Sequence, residues 1–207
     1  MIGIVAHTSR STQAHQLMAD VGATYMSIDN GTLGPNANHM RVWNWLAKHS
    51  ADEWAVVLED DAVPCDGFTT QLEQALAAAP SPIVSLYLGT GHPVHRQPAI
   101  ARAIDQAHHT DAAWITGTDV IHAVALAIHT DLVTDMVNTV STMTGDIDKA
   151  IAKWAKQQGH LVSHQHPSTI DHRDQPTVIT GRTPRNHERR AWTHGTRQHW
   201  NTTAVTM

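Results

Sequence analysis

The chain has 207 residues with 19 acidic and 14 basic side chains, a formal charge of −5 with histidine neutral; this suits one α/β domain with a real core and offers no broad positive field to a polyanion. A single cysteine, Cys65, excludes an internal disulfide and any cysteine-based zinc cluster and is expected to be a small, half-buried side chain. No stretch approaches the roughly 18–20 apolar residues of a membrane span, and the start MIGIVAHTSR has neither the basic region nor the long apolar segment of a signal peptide, so a soluble, cytoplasmic protein is expected.

Ile2 to Ala6 reads as a first strand, and His7-Thr8-Ser9-Arg10 leads from it into a helix carrying Leu17 and Met18. Thr24 to Ile28 is a second short strand. The turn formers Asp29-Asn30-Gly31-Thr32-Leu33-Gly34-Pro35 follow, after which Asn36 or Asn38 is expected to cap a helix bearing Met40, Trp43 and Leu46. Trp54 to Leu58 is a continuous apolar run ended by Glu59-Asp60-Asp61, the pattern of a central strand delivering charge to a sheet edge. A helix over 67–79, a strand over 83–88 and a helix around 98–108 come next. Strand-like segments over 112–115 and 123–128, helices near 131–140 and 146–158, and a strand-like 161–163 complete the alternation. Apolar strands alternating with helical periods indicate βα units and a mostly parallel sheet flanked by helices, hence a single Rossmann-like domain over residues 1–180.

After Pro167 the periodicity fades. From Arg182 onward five arginines (182, 185, 189, 190 and 197) face one acid, Glu188, and are interleaved with Trp192 and Trp200. The segment 181–207 is therefore expected to be an extended basic tail that either stays solvated or folds over a phosphate-bearing ligand. The 17 histidines are scattered, and most of them read as compositional bias.

Three adjacent carboxylates at a strand end repel one another, and their desolvation is unfavourable unless a cation or water compensates. The bland reading is a solvated acidic turn; the functional one is a hard divalent metal, Mn²⁺ or Mg²⁺, held by one or two carboxylates with phosphate oxygens completing its shell. Arg10, Thr8 and Ser9 follow the first strand, where open α/β sheets bind ligands, and are candidate donor-nucleotide contacts. A helix N-cap at Ser9 or Ser11 is compatible with that. Asp29 either touches a nucleotide or closes an Asx turn, the turn being the preferred reading.

The stretch Trp54 to Phe68, WAVVLEDDAVPCDGF, resembles the Leu-Glu-Asp-Asp segment of glycosyltransferase family 25, the lipopolysaccharide-type sugar transferases of GT-A fold. Gly34-Pro35-Asn36-Ala37-Asn38-His39 is similar to that family's turn and helix, with Pro and Asn where the family has Cys and Ser. The run His122 to Ile128 and Leu132, then Ile147-Asp148, is similar to the strand and helix that precede a Val-Asp dipeptide. A small, phage-type relative would fit the length.

The resemblance implies a GT-A-like transferase that uses a nucleotide-sugar donor. It makes Asp61 a ligand of the metal bridging the diphosphate, Glu59 a helper through water or the ribose, and Asp60 a support. His172 is the natural further ligand and His39 a residue facing the sugar. The family's inverting chemistry makes Asp148, with Asp146 second, the general base; the helix start at Ile147 gives both a capping role as the alternative. Protein, glycan and modified nucleic acid are the open acceptors, protein or glycan favoured. Other readings are a nucleotidyltransferase, disfavoured because HTSR lacks a glycine-rich basic loop, and an inactive sugar-nucleotide-binding module.

Overall fold

The computed structural model describes residues 1–176, 178 and 188–207. In chain order the elements are β1 (Ile2–His7), a 3₁₀ turn (Thr8–Arg10), α1 (Ser11–Val21), β2 (Tyr25–Asp29), α2 (Pro35–His49), β3 (Trp54–Glu59), β4 (Ala62–Pro64), α3 (Phe68–Ala77) and β5 (Ile83–Ser85). They continue through a 3₁₀ turn (Val94–Arg96), α4 (Gln97–Thr110), β6 (Trp114–Gly117), β7 (Ala125–His129), α5 (Thr130–Val140), α6 (Ile147–Gln157), β8 (Val162–Gln165), β9 (Ile170–His172) and β10 (Ala204–Thr206). The large sheet has the order β10-β6-β8-β5-β7-β3-β1-β2. Within it β1 pairs in parallel with β2 and β3, and β5 with β8, while β7 runs against β3 and β5. At the far edge β6 runs against β8 and pairs in parallel with β10. The result is a single Rossmann-like α/β domain whose sheet is mostly parallel and flanked by helices.

Side-chain alternation along the strands separates two cores. Ile4 and Ala6 of β1 and Val56 and Leu58 of β3 join Leu17 of α1 and Phe68 and Leu72 of α3 on one face. Val5, Ala55 and Val57 point the other way, into a core with Trp43 and Leu46 of α2, Met136 of α5, and Ile151 and Trp154 of α6. Gly3 is what lets α2 lie so close to β1: a Cβ there would come within 2.5 Å of Val42 Cγ1. A third cluster packs α4, through Ile100 and Ile104, against Ile115 and Val205.

Three expectations are corrected. The helix after the Asp29 loop begins at Pro35 with Gly34 as its cap, and neither Asn36 nor Asn38 caps it. Asn38 is buried, hydrogen-bonded to Ser27 and to the Ala6 carbonyl, because β1 and β2 need a polar partner where the helix crosses them. The strand expected over 83–88 stops at Ser85, whose hydroxyl donates to the Tyr87 carbonyl and bends the chain. The described part of the C-terminal segment, 188–207, is packed structure. Trp200 is buried beside Trp114 and donates through Nε1 to Gln71, Trp192 donates to Gln97, and β10 adds an edge strand to the sheet. These contacts are all long-range, so no local period announces them. Arg182 and Arg185 of the expected tail lie outside the described residues. Cys65 is buried.

Candidate active site

A cleft of about 440 Å³ opens where the carboxyl ends of β1, β2 and β3 meet the amino end of the antiparallel β7. Its walls include His7, Arg10, Asp29, His39, Glu59, Asp60, Asp61, Tyr87, His122, Asp146, Asp148, His172 and Arg189. Binding at strand ends is the ordinary place for ligands in open α/β sheets.

The acidic run is placed by pairings on both sides. The Glu59 amide donates to the Val124 carbonyl and the Asp60 amide to the Val5 carbonyl, which pins the end of β3 between β7 and β1. The chain then turns into β4, which pairs antiparallel with β9 in the register Ala62 to His172. That two-stranded ribbon carries His172 to the motif: its Nε2 lies 3.5 Å from Asp61 Oδ2, and both side chains are buried.

Arg10, at the end of the 3₁₀ turn after β1, reaches the same carboxylates. Its guanidinium donates to Asp60 Oδ1 at 3.0 Å and to Asp61 Oδ2 at 2.6 Å, and to the Pro176 carbonyl. The His7 amide donates to Asp60 Oδ2 at 2.8 Å. Part of the compensation that three adjacent carboxylates require thus comes from the protein's own cation. Glu59 is met by His39 instead, with Nε2 and Oε1 3.0 Å apart.

The charge states follow from this arrangement. Burial raises Asp61 to about 7, the neighbouring Glu59 adds to that, and Arg10 opposes it. Burial also raises Asp60 against the His7 amide and Arg10. Burial favours the neutral form of Glu59 too, yet the hydrogen bond and charge of His39 outweigh it and hold Glu59 below the ordinary range. Burial disfavours the Arg10 guanidinium, but Asp61 and Asp60 keep its pKa above the usual value. His172 falls to about 4 through burial and the nearby Arg189.

At the opposite lip, Asp146 and Asp148 begin α6. Asp146 is the cap residue but makes no side-chain cap bond; its carboxylate meets Lys149 Nζ at 2.7 Å. Asp148 accepts from the Lys149 amide, and burial, augmented by Asp146, raises its pKa. Asn36 ties this lip to α2: its amide donates to the Gly145 carbonyl and its Oδ1 accepts from the Ile147 amide.

The sequence-predicted residues separate as follows. Arg10, His39, Glu59, Asp60, Asp61, Asp146, Asp148 and His172 line one cleft. Thr8 faces an adjoining hollow of about 420 Å³ with Asp29, Thr32, Leu33 and Arg41. Ser9 is hydrogen-bonded to the His7 ring, and neither Ser9 nor Ser11 caps α1: its cap residue is Arg10, with no side-chain cap bond, because His7 caps the 3₁₀ turn that precedes it. Asp29 closes its loop by accepting from the amides of Leu33 and Gly34, bonds that lower its pKa, led by Leu33. Tyr87, His122 and Arg189 also line the cleft. The first two give no sign in the sequence, because an isolated Tyr or His in an apolar run carries no spacing signal. In the sequence Arg189 stands out only as one basic residue of a tail.

The donor set fits a hard divalent cation with few protein ligands. Asp61 Oδ1 and His172 Nδ1 are buried with no hydrogen-bond partner, and an orphaned carboxylate oxygen at a charged cleft is costly unless something binds it. Among the described residues no three His, Cys, Asp or Glu side chains surround one point. Phosphate and water would therefore supply the remaining ligands, as Mg²⁺ and Mn²⁺ commonly accept. No described helix is long and apolar enough to cross a membrane.

No family model matches this sequence, and no curated protein matches it. Among solved structures it is similar to A197 from STIV, with a TM-score of 0.50 at 8% identity over 90% of this chain and 99% of that one. It also matches the inositol-1-phosphate CTP transferase from T. maritima, with a TM-score of 0.39 at 9% identity over 78% of this chain and 64% of that one. At such identities the first likeness speaks to the fold alone, and the second carries no argument.

Proposed function

We propose that this chain is a nucleotide-sugar-dependent glycosyltransferase of the GT-A kind, similar to family 25, that moves a sugar from a nucleoside diphosphate to the hydroxyl of a protein or glycan. The observation that carries this reading is the convergence of Arg10, Glu59, Asp60, Asp61 and His172 at the carboxyl ends of β1 and β3, facing Asp148 across one cleft.

Asp61 and His172 would hold Mn²⁺ or Mg²⁺, with Glu59 assisting through water; when bound, the ion acts as a Lewis acid toward the leaving diphosphate. Arg10 and Arg189 line the same cleft; with Arg10 engaged by Asp60, Asp61 and the Pro176 carbonyl, both guanidiniums supply positive charge toward phosphate oxygens. His39 keeps Glu59 ionised, so that carboxylate can accept from a ribose hydroxyl or a bound water. Asp60, engaged by both Arg10 and the His7 amide, orients the motif and is poorly placed to do more.

Asp148 takes the proton of the acceptor hydroxyl. Its burial raises its pKa, which moves a carboxylate toward the basicity a general base needs near neutral pH. A base facing the leaving group across the sugar gives inversion. Asp146, paired with Lys149, supports Asp148 through its charge.

The test is to incubate the protein with Mn²⁺ and a panel of nucleotide sugars and to follow the free nucleoside diphosphate. Metal-dependent release from at least one donor is expected. Release of pyrophosphate from nucleoside triphosphates in the same assay, with no donor hydrolysed, would replace this reading by nucleotidyl transfer.

A further inference from the structure

One wall of the cleft, made by residues 87–92 and 121–124, carries a group that the chemistry above leaves unused. His122 lines the cleft and its Nε2 is buried without a hydrogen-bond partner. The Tyr87 ring lies against the imidazole with centroids 5.0 Å apart at 61°. Gly89 itself sits so tightly under Tyr87 that a Cβ would come within 2.4 Å of the phenol oxygen. Gly89 is thus packed under Tyr87, and the same phenol ring lies against the His122 imidazole.

The protonation of that ring is fixed by its surroundings. Burial, reinforced by His164, His92 and His172, drives the pKa to about 3, so the imidazole is neutral. A neutral imidazole has one N–H and one lone pair, so Nε2 is left without a partner in either tautomer. Buried polar atoms without a partner are rare and costly. A hydroxyl both donates and accepts, so it complements Nε2 in either tautomer. Beside the polar Thr90 and His92, the wall offers the ring of Tyr87 and the apolar residues Ile121, Ala123 and Val124, which suit the C–H face of a pyranose.

We propose that His122 Nε2 forms a hydrogen bond with a hydroxyl of a sugar ring seated against Tyr87, Ile121 and Ala123, making this wall the sugar-recognition subsite. The inference rests on the glycosyl-transfer reading of the same cleft. The sugar is either the one attached to the nucleotide or that of a glycan acceptor, and the two share this hydroxyl chemistry.

The test follows the His122 imidazole nitrogens by two-bond ¹H–¹⁵N NMR in the ¹⁵N-labelled full chain with Mg²⁺. Three additions are made separately: UDP, GDP, CMP, ADP and dTDP; their nucleotide sugars; and methyl glycosides of glucose, galactose, mannose and N-acetylglucosamine. The expected result is a shift of Nε2 with a sugar-bearing probe and none with the free nucleotides. A shift with nucleotide sugars alone assigns the donor's sugar, and one with methyl glycosides assigns the acceptor. His122→Phe should weaken the responding sugar probe about tenfold, the loss expected for one hydrogen bond, with nucleotide affinity within about twofold. His122→Gln, which keeps an acceptor, should restore most of it and guards against a folding defect in the Phe variant. If nucleotides and their sugars bind but Nε2 is unmoved by every sugar, the subsite is wrong and the transferase reading stands. If methyl glycosides shift Nε2 but no nucleotide binds, the subsite holds and the transferase reading falls. No response to any sugar, with or without nucleotide binding, overturns the subsite.

Discussion

Asp61 shares its Oδ2 with Arg10, lies 3.5 Å from His172, and is raised by burial to about 7. A carboxyl whose folded pKa exceeds its unfolded value contributes stability at low pH and loses it as pH rises through the folded value. Asp61→Asn should therefore match the wild type in thermal stability near pH 4 and exceed it above pH 7, while losing Mn²⁺-dependent nucleotide binding by at least about tenfold. Calorimetry across that range, together with titration of nucleotide with and without metal, checks both halves; unchanged binding would remove Asp61 from the metal site. Asp148 is tested by chemistry rather than affinity. Asp148→Asn should keep donor binding and lower turnover by about 10²–10⁴, whereas Asp146→Asn should do far less. Equal turnover by the Asp148 variant and the wild type would point to another base.

The lip that carries Asp148 is held as an element. Asn36 near the start of α2 grips both the Gly145 carbonyl and the Ile147 amide at the start of α6, so the position of the base depends on a residue of another helix. Asn36→Ala should lower kcat on the order of 10-fold to 100-fold with little change in donor affinity, because small displacements of a catalytic group are costly. A variant that loses donor affinity and keeps kcat would show that Asn36 serves the nucleotide instead. Short elements matter in the same way on the other side: β4 and β9 have three residues each, yet their register alone sets His172 beside Asp61.

At the scale of the whole molecule, residues 188–207 close the domain. Trp200 fills the space between Trp114 and α3, and Trp200→Ala should cost about 3–5 kcal/mol in urea unfolding, as for other buried large-to-small changes. A cost below about 1 kcal/mol would mean that the segment is only loosely attached. The buried histidines make the fold acid-sensitive. Burial lowers His164 from 6.5 to about 4, against the opposing effect of Asp119, and His122 and His166 fall likewise. A base whose folded pKa is depressed stabilises the fold above its unfolded value, and that stability is lost as pH falls through the window down to the folded one. At about 1.4 kcal/mol per pH unit, His164 alone accounts for on the order of 3 kcal/mol between pH 6.5 and 4. The unfolding free energy should fall over that interval, and His164→Leu should flatten the fall; parallel pH profiles would contradict the assignment.

Local pattern was enough to reveal the alternating strands and helices, the single α/β domain, and the Glu59-Asp60-Asp61 run at the end of a buried strand. Each of these is written within ten or fifteen consecutive residues, where a period of 2 or 3.6 or an abrupt change from apolar to acidic can be seen. The cleft's chemistry was decided by contacts across the chain. Arg10 reaches carboxylates 50 and 51 positions away, β9 brings His172 to β4, and a terminal segment with no period of its own supplies β10, Trp200 and Arg189. Segments of three residues carry too little pattern to declare a partner, and whether a histidine such as His122 keeps a nitrogen free depends on which distant atoms surround it. Only the tertiary structure fixes those neighbours, because burial and pairing are properties of the packed chain and not of any one stretch of it.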